Sequence, residues 1–181
     1  MASCLGLFID NNIIKYAKVS KDHDRLKVES FGVEFYEKLD VAIKKVIEET
    51  YSYKTPISIN LSNETYNYFD MFALLNKKDL PKAIKTEFEA LCDDKGYNPN
   101  VFETRFALVD NPEDKEKLKV IHISSNKIDL NKRAQEFEGY TLSGMYPIGM
   151  SISNLAELKP KENYLIVNIE DNTTIITVED Q

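Results

Sequence analysis

Glycine is scarce. The 181 residues contain six: Gly6, Gly32, Gly96, Gly139, Gly144 and Gly149. None is spaced for a G-x-G-x-x-G turn or a Walker loop, so the glycine-rich phosphate cradles are missing as motifs. Gly144 and Gly149 stand too far apart and flank Tyr146-Pro147. Cysteine and histidine are equally sparse: Cys4, Cys92, His23 and His122. Two cysteines cannot build a disulfide scaffold, and the four residues have no recognised zinc spacing. A reduced protein with two small apolar cysteines is expected. Positive charge is also short. Lys+Arg 23 against Asp+Glu 30 leaves a formal charge of -7, which gives no global attraction for a phosphate backbone and excludes a general nucleic-acid binder. No apolar run approaches the ~18 residues that span a bilayer. The start Met1-Ala2-Ser3-Cys4 lacks the basic-then-apolar pattern of a signal peptide. A cytoplasmic protein without a membrane span is expected.

What is present suffices for a fold. Hydrophobic residues make up 43% and charged residues 29%, which excludes wholesale disorder. The length suits one domain or two small lobes. Leu5 to Asp10 reads as a buried strand, and Asn11-Asn12 as a turn of residues that tolerate left-handed angles. Strands follow over Ile13 to Ser20 and Leu26 to Tyr36, making an antiparallel meander. Asp40 to Tyr51 has helical spacing, with Val41, Ile43, Val46 and Ile47 near one face and Asp40 placed to cap it. Pro56 to Leu61 alternates as a strand, which the preceding helix allows to pair parallel to an earlier one. The expected class is α/β, a mixed sheet with helices packed on it.

Beyond Ser62-Asn63 the character changes. Tyr66 to Leu75 is an aromatic strand. Lys78 to Asp93 is a helix with Leu80, Ala83, Ile84, Phe88 and Leu91 as its stripe, Pro81 in its first turn and Gly96 as its stop. Phe102 to Val109 and Leu118 to Ser124 are strands. This strand-helix-strand-strand run reads as a small inserted lobe. Asp129 to Phe137 is a short polar helix and Tyr140 to Tyr146 a strand. Met150 to Leu158 is a helix. Tyr164 to Ile169 and Thr173 to Val178 form a hairpin.

Two hairpins are alike in kind: Leu5-Gly-Leu-Phe-Ile-Asp-Asn-Asn-Ile-Ile-Lys15 and Tyr164-Leu-Ile-Val-Asn-Ile-Glu-Asp-Asn-Thr-Thr174. Their order and spacing resemble the first lobe of the actin-like ATPase superfamily. Within it, the chain looks most like the PilM family of type IV pilus assembly proteins, relatives of FtsA, and like the GspL-type cytoplasmic domains of type II secretion and pilus platforms. The resemblance implies a main lobe of residues 1–62 and 142–181, an inserted lobe of 63–141, and no second actin-like lobe.

In that superfamily the two turns hold a nucleotide's phosphates, and their aspartates organise the metal. Placed without gaps, the family's first Asp falls on Phe8 and its Gly on Asp10, while Ile14 and Lys15 match. At the second turn the Asp falls on Asn168 and the Gly on Glu170, while Asn172, Thr173 and Thr174 match. Phe8 cannot bind magnesium, which takes oxygen ligands. Asp10 and Glu170 set carboxylates where glycine N–H groups would face phosphate. Two unit charges ~4 Å apart repel by ~1 kcal/mol in water and ~4 kcal/mol near a protein surface. Two alternatives stay open: a metal bridging Asp10, Glu170 and phosphate, and a two-residue slip that brings Asp10 onto the family's Asp and Asn12 onto its Gly.

The resemblance therefore implies a scaffold without cofactor or catalytic residues, peripheral to the inner membrane. Its partner would be the cytoplasmic tail of a PilN-like bitopic membrane protein, with the motor ATPase as a further one. The alternative is an ATPase using ATP and magnesium. Tyr68, Phe69, Phe72 and Phe88 are the candidate partner contacts, since aromatics favour interfaces. Tyr68, Phe72 and Leu74 share one strand face; Phe69, Met71 and Ala73 share the other. His122, between Ile121 and Ile123, is expected as a core or edge histidine. Asp93-Asp94 and Glu48-Glu49 read as solvated charge, and Lys44-Lys45 and Lys77-Lys78 are too sparse for a membrane patch.

Overall fold

Apolar residues at every second position make β1 (Ala2–Asp10) bury Leu5, Leu7 and Ile9 on one face. A computed structural model describes residues 2–23, 25–61, 63–109, 114, 116–151, 164–169 and 174–179. β1 pairs antiparallel with β2 (Ile13–Asp22), which pairs antiparallel with β3 (Arg25–Phe35). The helix α1 (Leu39–Glu49) then returns the chain, so that β4 (Ile57–Asn60) lies parallel to β1. β8 (Leu142–Tyr146) adds a parallel strand outside β4. The sheet order is β3-β2-β1-β4-β8, the mixed sheet expected from the sequence.

The α1 face that meets this sheet is Ala42, Ile43, Val46 and Ile47. They close a core with Leu5, Leu7, Ile9, Ile14, Ile57, Ile59 and Phe137. Each large aliphatic side chain buried there contributes about 1.5–3 kcal/mol. Val41, expected on that face, is exposed; Ala42 takes the place because the stripe is set one position later. Asp40 does not cap the helix. The cap position is Lys38, with no side-chain bond, and Asp40 lies inside the first turn, where its charge still favours the positive end of the helix dipole. At the other end, Lys18 Nζ donates to the carbonyls of Thr50 and Tyr51 at 2.9 and 3.4 Å and lies 3.6 Å from Glu29. A cation thus meets the free carbonyls of the helix end.

The chain divides into two compact units, Met1–Leu61 with Arg133–Gln181, and Ser62–Lys132. The second boundary falls after Lys132, earlier than the expected 141, because Phe137 is buried in the main core and Tyr140 and Leu142 pack on it.

The inserted unit is built on β5 (Thr65–Phe72), α2 (Leu80–Asp94), β6 (Phe102–Val109) and β7 (Lys117–Asn126). Its strands run in the order β5-β7-β6, all antiparallel. Pro81 stands in the first turn of α2. Gly96, at φ +70°, ends it, with Tyr97 N–H donating to the Cys92 carbonyl at 2.8 Å. α2 turns Leu80, Ile84, Phe88 and Cys92 inward; Met71 and Val120 meet Leu80 and Ile84 in one cluster.

α3 (Lys127–Gln135) is short and polar. Residues 148–151 are helical; the rest of the helix expected to Leu158 lies outside the described residues. β9 (Tyr164–Ile169) and β10 (Thr174–Glu179) form the expected hairpin, in register from Tyr164–Glu179 to Ile169–Thr174.

Candidate functional site

The same alternation that buries Leu5, Leu7 and Ile9 turns Gly6, Phe8 and Asp10 to the other face of the main sheet. A groove of about 630 Å³ lies there, lined by Gly6, Phe8, Lys15, Ala17, Ser58, Asn60 and Tyr146 among others, with Ile148 and Ser151 at its end. Phe8 and Lys15 are cross-strand partners. The Lys15 ammonium sits 5.2 Å from the centre of the Phe8 ring, close enough for a cation–π attraction of about 0.5–1 kcal/mol where exposed.

Two polar side chains of the groove, Asn60 and Ser58, are committed within the protein. Asn60 Oδ1 accepts from Ile9 N–H at 2.7 Å, and its Nδ2 donates to the carbonyls of Ile9 and Leu61, each at 3.1 Å. It ties the ends of β1 and β4 together. Ser58 Oγ lies 2.9 Å from Ser143 Oγ and 3.2 Å from Cys4 Sγ. The groove therefore offers an apolar floor with Lys15 as its lining cation, a place for a flat or aliphatic group bearing negative charge.

The β1–β2 turn is two residues long, with Asp10 paired to Ile13. Asn11 and Asn12 form it as expected, yet neither takes a positive φ, so their left-handed tolerance is not used. Asp10 Oδ1 accepts from Asn11 N–H at 2.8 Å. The carboxylate thus holds one of the backbone donors that such a turn could present to an anion. Tyr36 closes the turn from the side: its hydroxyl donates to the Asp10 carbonyl at 3.0 Å and its N–H to the Asn12 carbonyl at 2.8 Å. Burial, ahead of the neighbouring charges, raises the Tyr36 hydroxyl above the usual phenol range, so it stays a donor.

At the second turn, Asn168 stands in β9 opposite Ile175. Glu170 and Thr173 lie outside the described residues. The structure brings Phe8, Lys15 and Asp10 to one face of the first hairpin. No group of three or more acidic, histidine or cysteine side chains is set to hold a metal among the described residues.

The four aromatic candidates of the inserted unit divide between its two faces. Phe88 is buried, its ring 4.4 Å from that of His122 and 5.9 Å from that of Phe102. Phe69 packs on the core cluster, 5.5 Å from His122. Tyr68 and Phe72 point the other way and are 75% and 72% exposed, with Leu74 beyond them at 97%. In register they stand opposite Ile121 and Lys117 of β7. The outer face of the unit therefore presents an aromatic row beside a lysine, with Lys119 opposite Asp70 between them.

His122 is 2% exposed, between Phe69 and Phe88, and its Nδ1 has no hydrogen-bond partner. Burial holds its pKa below the ordinary imidazole value. Such a ring is a neutral core element. The clamps made by Tyr36 and Asn60 are not among the sequence expectations; Asn60 reads there as an ordinary polar alternate between Ile59 and Leu61.

No family model matches the sequence, and a search of the curated proteins finds no match. Among solved structures the chain is similar to one from a PilM–PilN type IV pilus biogenesis complex, at 16% identity and a TM-score of 0.75, over 97% of this chain and 57% of that one. It is also similar to the cytoplasmic domain of EpsL, an inner-membrane component of the type II secretion system of Vibrio cholerae. There the identity is 10% and the TM-score 0.64, over 98% of this chain and 68% of that one. The chain spans somewhat more than half the length of the first of these. The mixed-sheet architecture expected from the sequence is the one observed, and the likeness to these two proteins is one of fold.

Proposed function

We propose that the protein is a non-catalytic scaffold of a type IV pilus or related secretion platform. It sits at the inner face of the membrane and binds the cytoplasmic tail of a bitopic, PilN-like membrane protein. The observation that carries this reading is the exposed row Tyr68, Phe72 and Leu74 on a unit whose core is already filled by Phe69, Phe88 and Val120. Large apolar side chains beyond the needs of the core favour an interface role. The fold shared with a chain from a PilM–PilN complex supports it. So does the first turn, where Asp10 caps Asn11 N–H with a carboxylate and Phe8 replaces a metal-binding side chain. A motor ATPase is the further partner of the assembly. No helix among the described residues is long and apolar enough to cross a membrane.

A nucleotide-binding, actin-like ATPase is the second reading, and Lys15 favours it. It is the lining cation of a groove large enough for a small ligand and stands at the position where the family's turn carries lysine. Calorimetric titration separates the two. The scaffold reading expects heat on adding the partner's tail peptide and none with Mg-ATP, and Tyr68→Ala with Phe72→Ala to abolish the peptide signal. Micromolar binding of Mg-ATP with thermal stabilisation, or peptide affinity indifferent to Tyr68 and Phe72, would overturn it.

A further inference from the structure

β3 ends the main sheet, with no strand on its outer side among the described residues. Its side chains Leu26, Val28, Phe31, Val33 and Phe35 are all exposed, Phe31 at 79%. These five lie on one face although their numbers change from even to odd. The pairing with β2 skips Glu29, setting Val28 opposite Val19 and Ser30 opposite Lys18. A bulge at that point restores the alternation for the second half of the strand. Glu29 is held to its own sheet by Lys18 and leaves the open edge clear.

We propose that β3 pairs antiparallel with β3 of a second copy about a twofold axis at Phe31, joining two five-stranded sheets into one of ten strands. The occupant follows from reading the strand against itself. With the bulge counted as one position, Leu26 to Phe35 gives nine positions with Phe31 at the centre. Self-pairing then sets Leu26 opposite Phe35, Val28 opposite Val33 and Phe31 opposite Phe31, apolar against apolar across one face. On the other face Lys27 meets Glu34 twice, once at each end. The Glu29–Ser30 bulge falls opposite Gly32, which has no side chain to crowd it.

Charge selects this register over its neighbours. A shift of two positions one way sets Glu29 against Glu29, and the other way sets Glu29 against Glu34; either removes the Lys27–Glu34 pairs. Like charges directly opposite destabilise a sheet, and opposite charges support it. Glu34 is already 2.7 Å from Lys45 of its own chain, so a second lysine completes a short row of alternating charge. An open edge is a ready template for another strand. A self-complementary edge closes at two copies and does not propagate. Nine positions at ~3.3 Å make a seam about 30 Å long. This pairing is independent of the tail-binding reading, which concerns the other unit.

The test is sedimentation of the full chain, with cysteine cross-linking in a Cys4→Ser background. A dimer is expected. Phe31→Glu, at an exposed position, leaves the circular dichroism unchanged and weakens the dimer roughly a hundredfold by setting two charges on the axis. Lys27→Glu weakens it roughly tenfold, and Lys27→Glu with Glu34→Lys restores it. Phe31→Cys forms a disulfide-linked dimer on oxidation, whereas Leu26→Cys, opposite Phe35, does not. A chain that stays monomeric near millimolar concentration overturns the proposal. So does a dimer indifferent to Phe31→Glu, or β3 amides protected from hydrogen exchange only when a membrane partner's tail peptide is added, which would give the edge to that peptide.

Discussion

Tyr16 lies across Gly32. The two are cross-strand neighbours in β2 and β3, and a Cβ built on Gly32 would stand 2.6 Å from the tyrosine oxygen and 2.7 Å from the ring carbon that bears it. The ring takes the space that a side chain at 32 would fill, and its hydroxyl reaches Glu49 of α1 at 3.4 Å. Burial, followed by the charge of Glu49, raises the Tyr16 pKa, so the hydroxyl remains protonated and donates.

Gly32→Ala should therefore destabilise the main unit by about 1–3 kcal/mol, the usual range for a side chain forced into filled space. In a Tyr16→Ala background the same change should cost much less, because the ring that it meets is gone. Denaturant unfolding of the four proteins of this cycle measures the coupling. Additive costs would mean that Gly32 serves some purpose other than room for Tyr16.

His122 gives the inserted unit a pH dependence with a defined sign. Its folded pKa lies below the unfolded value of about 6.5. Above that value neither state binds the proton, and stability is at its full level. As pH falls below about 6.5 the unfolded chain takes up a proton that the folded ring refuses, so stability drops until the folded pKa is reached. Each unit of depression corresponds to about 1.4 kcal/mol. The slope just below pH 6.5 should be smaller in His122→Phe, which keeps an aromatic ring between Phe69 and Phe88. An unchanged slope in that variant would assign the effect to other groups.

The periodic signals were legible where burial is one-sided. Leu5, Leu7 and Ile9 alternate and are buried; Ile57 and Ile59 do the same. The two faces of β5 also separate in the sequence as they do in space, Tyr68 and Phe72 outward, Phe69 and Met71 inward. The switch of β3 from even to odd apolar positions between Val28 and Phe31 records the bulge, although it is only interpretable once β2 supplies the register. Other features depend on residues far apart in the chain. Tyr36 closing the turn at Asp10, Asn60 binding Ile9 and Lys18 meeting the end of α1 are long-range contacts with no local signature. The boundary after Lys132 was hidden for the same reason, since only packing shows that Phe137 belongs to the main core.

Tyr51 stands just past α1 at φ +49°. Ser52 N–H donates back to the Ile47 carbonyl at 2.9 Å, closing the helix end in the manner that glycine usually serves. The tyrosine ring is 82% exposed, so little burial offsets the left-handed backbone. Tyr51→Gly should stabilise the protein by about 0.5–1 kcal/mol, since glycine adopts this angle without the Cβ penalty. That is a rise of a few degrees in Tm. A loss of stability would show that the ring makes a contact in solution that outweighs the strain.

The aromatic residues of the inserted unit permit the sharpest separation of structure from function. Phe88 and Phe69 surround His122, so truncating Phe88 to alanine opens a cavity and removes the nearer of the imidazole's two aromatic partners. Buried phenylalanine truncations cost about 3–5 kcal/mol, and Phe88→Ala should fall in that range, with Phe69→Ala somewhat below it because Phe69 is only partly buried. Tyr68 and Phe72 are exposed on the opposite face. Their alanine variants should shift stability by no more than about 0.5 kcal/mol, as surface changes do. If the outer row is an interface, these same two variants lose most of the affinity for the partner's tail, because central aromatic anchors carry a large share of binding energy. Thermal unfolding and peptide titration on the four variants thus give opposite rankings: Phe88 and Phe69 dominate stability, Tyr68 and Phe72 dominate binding. A single ranking shared by both measurements would mean that the outer row acts only through the fold of its unit.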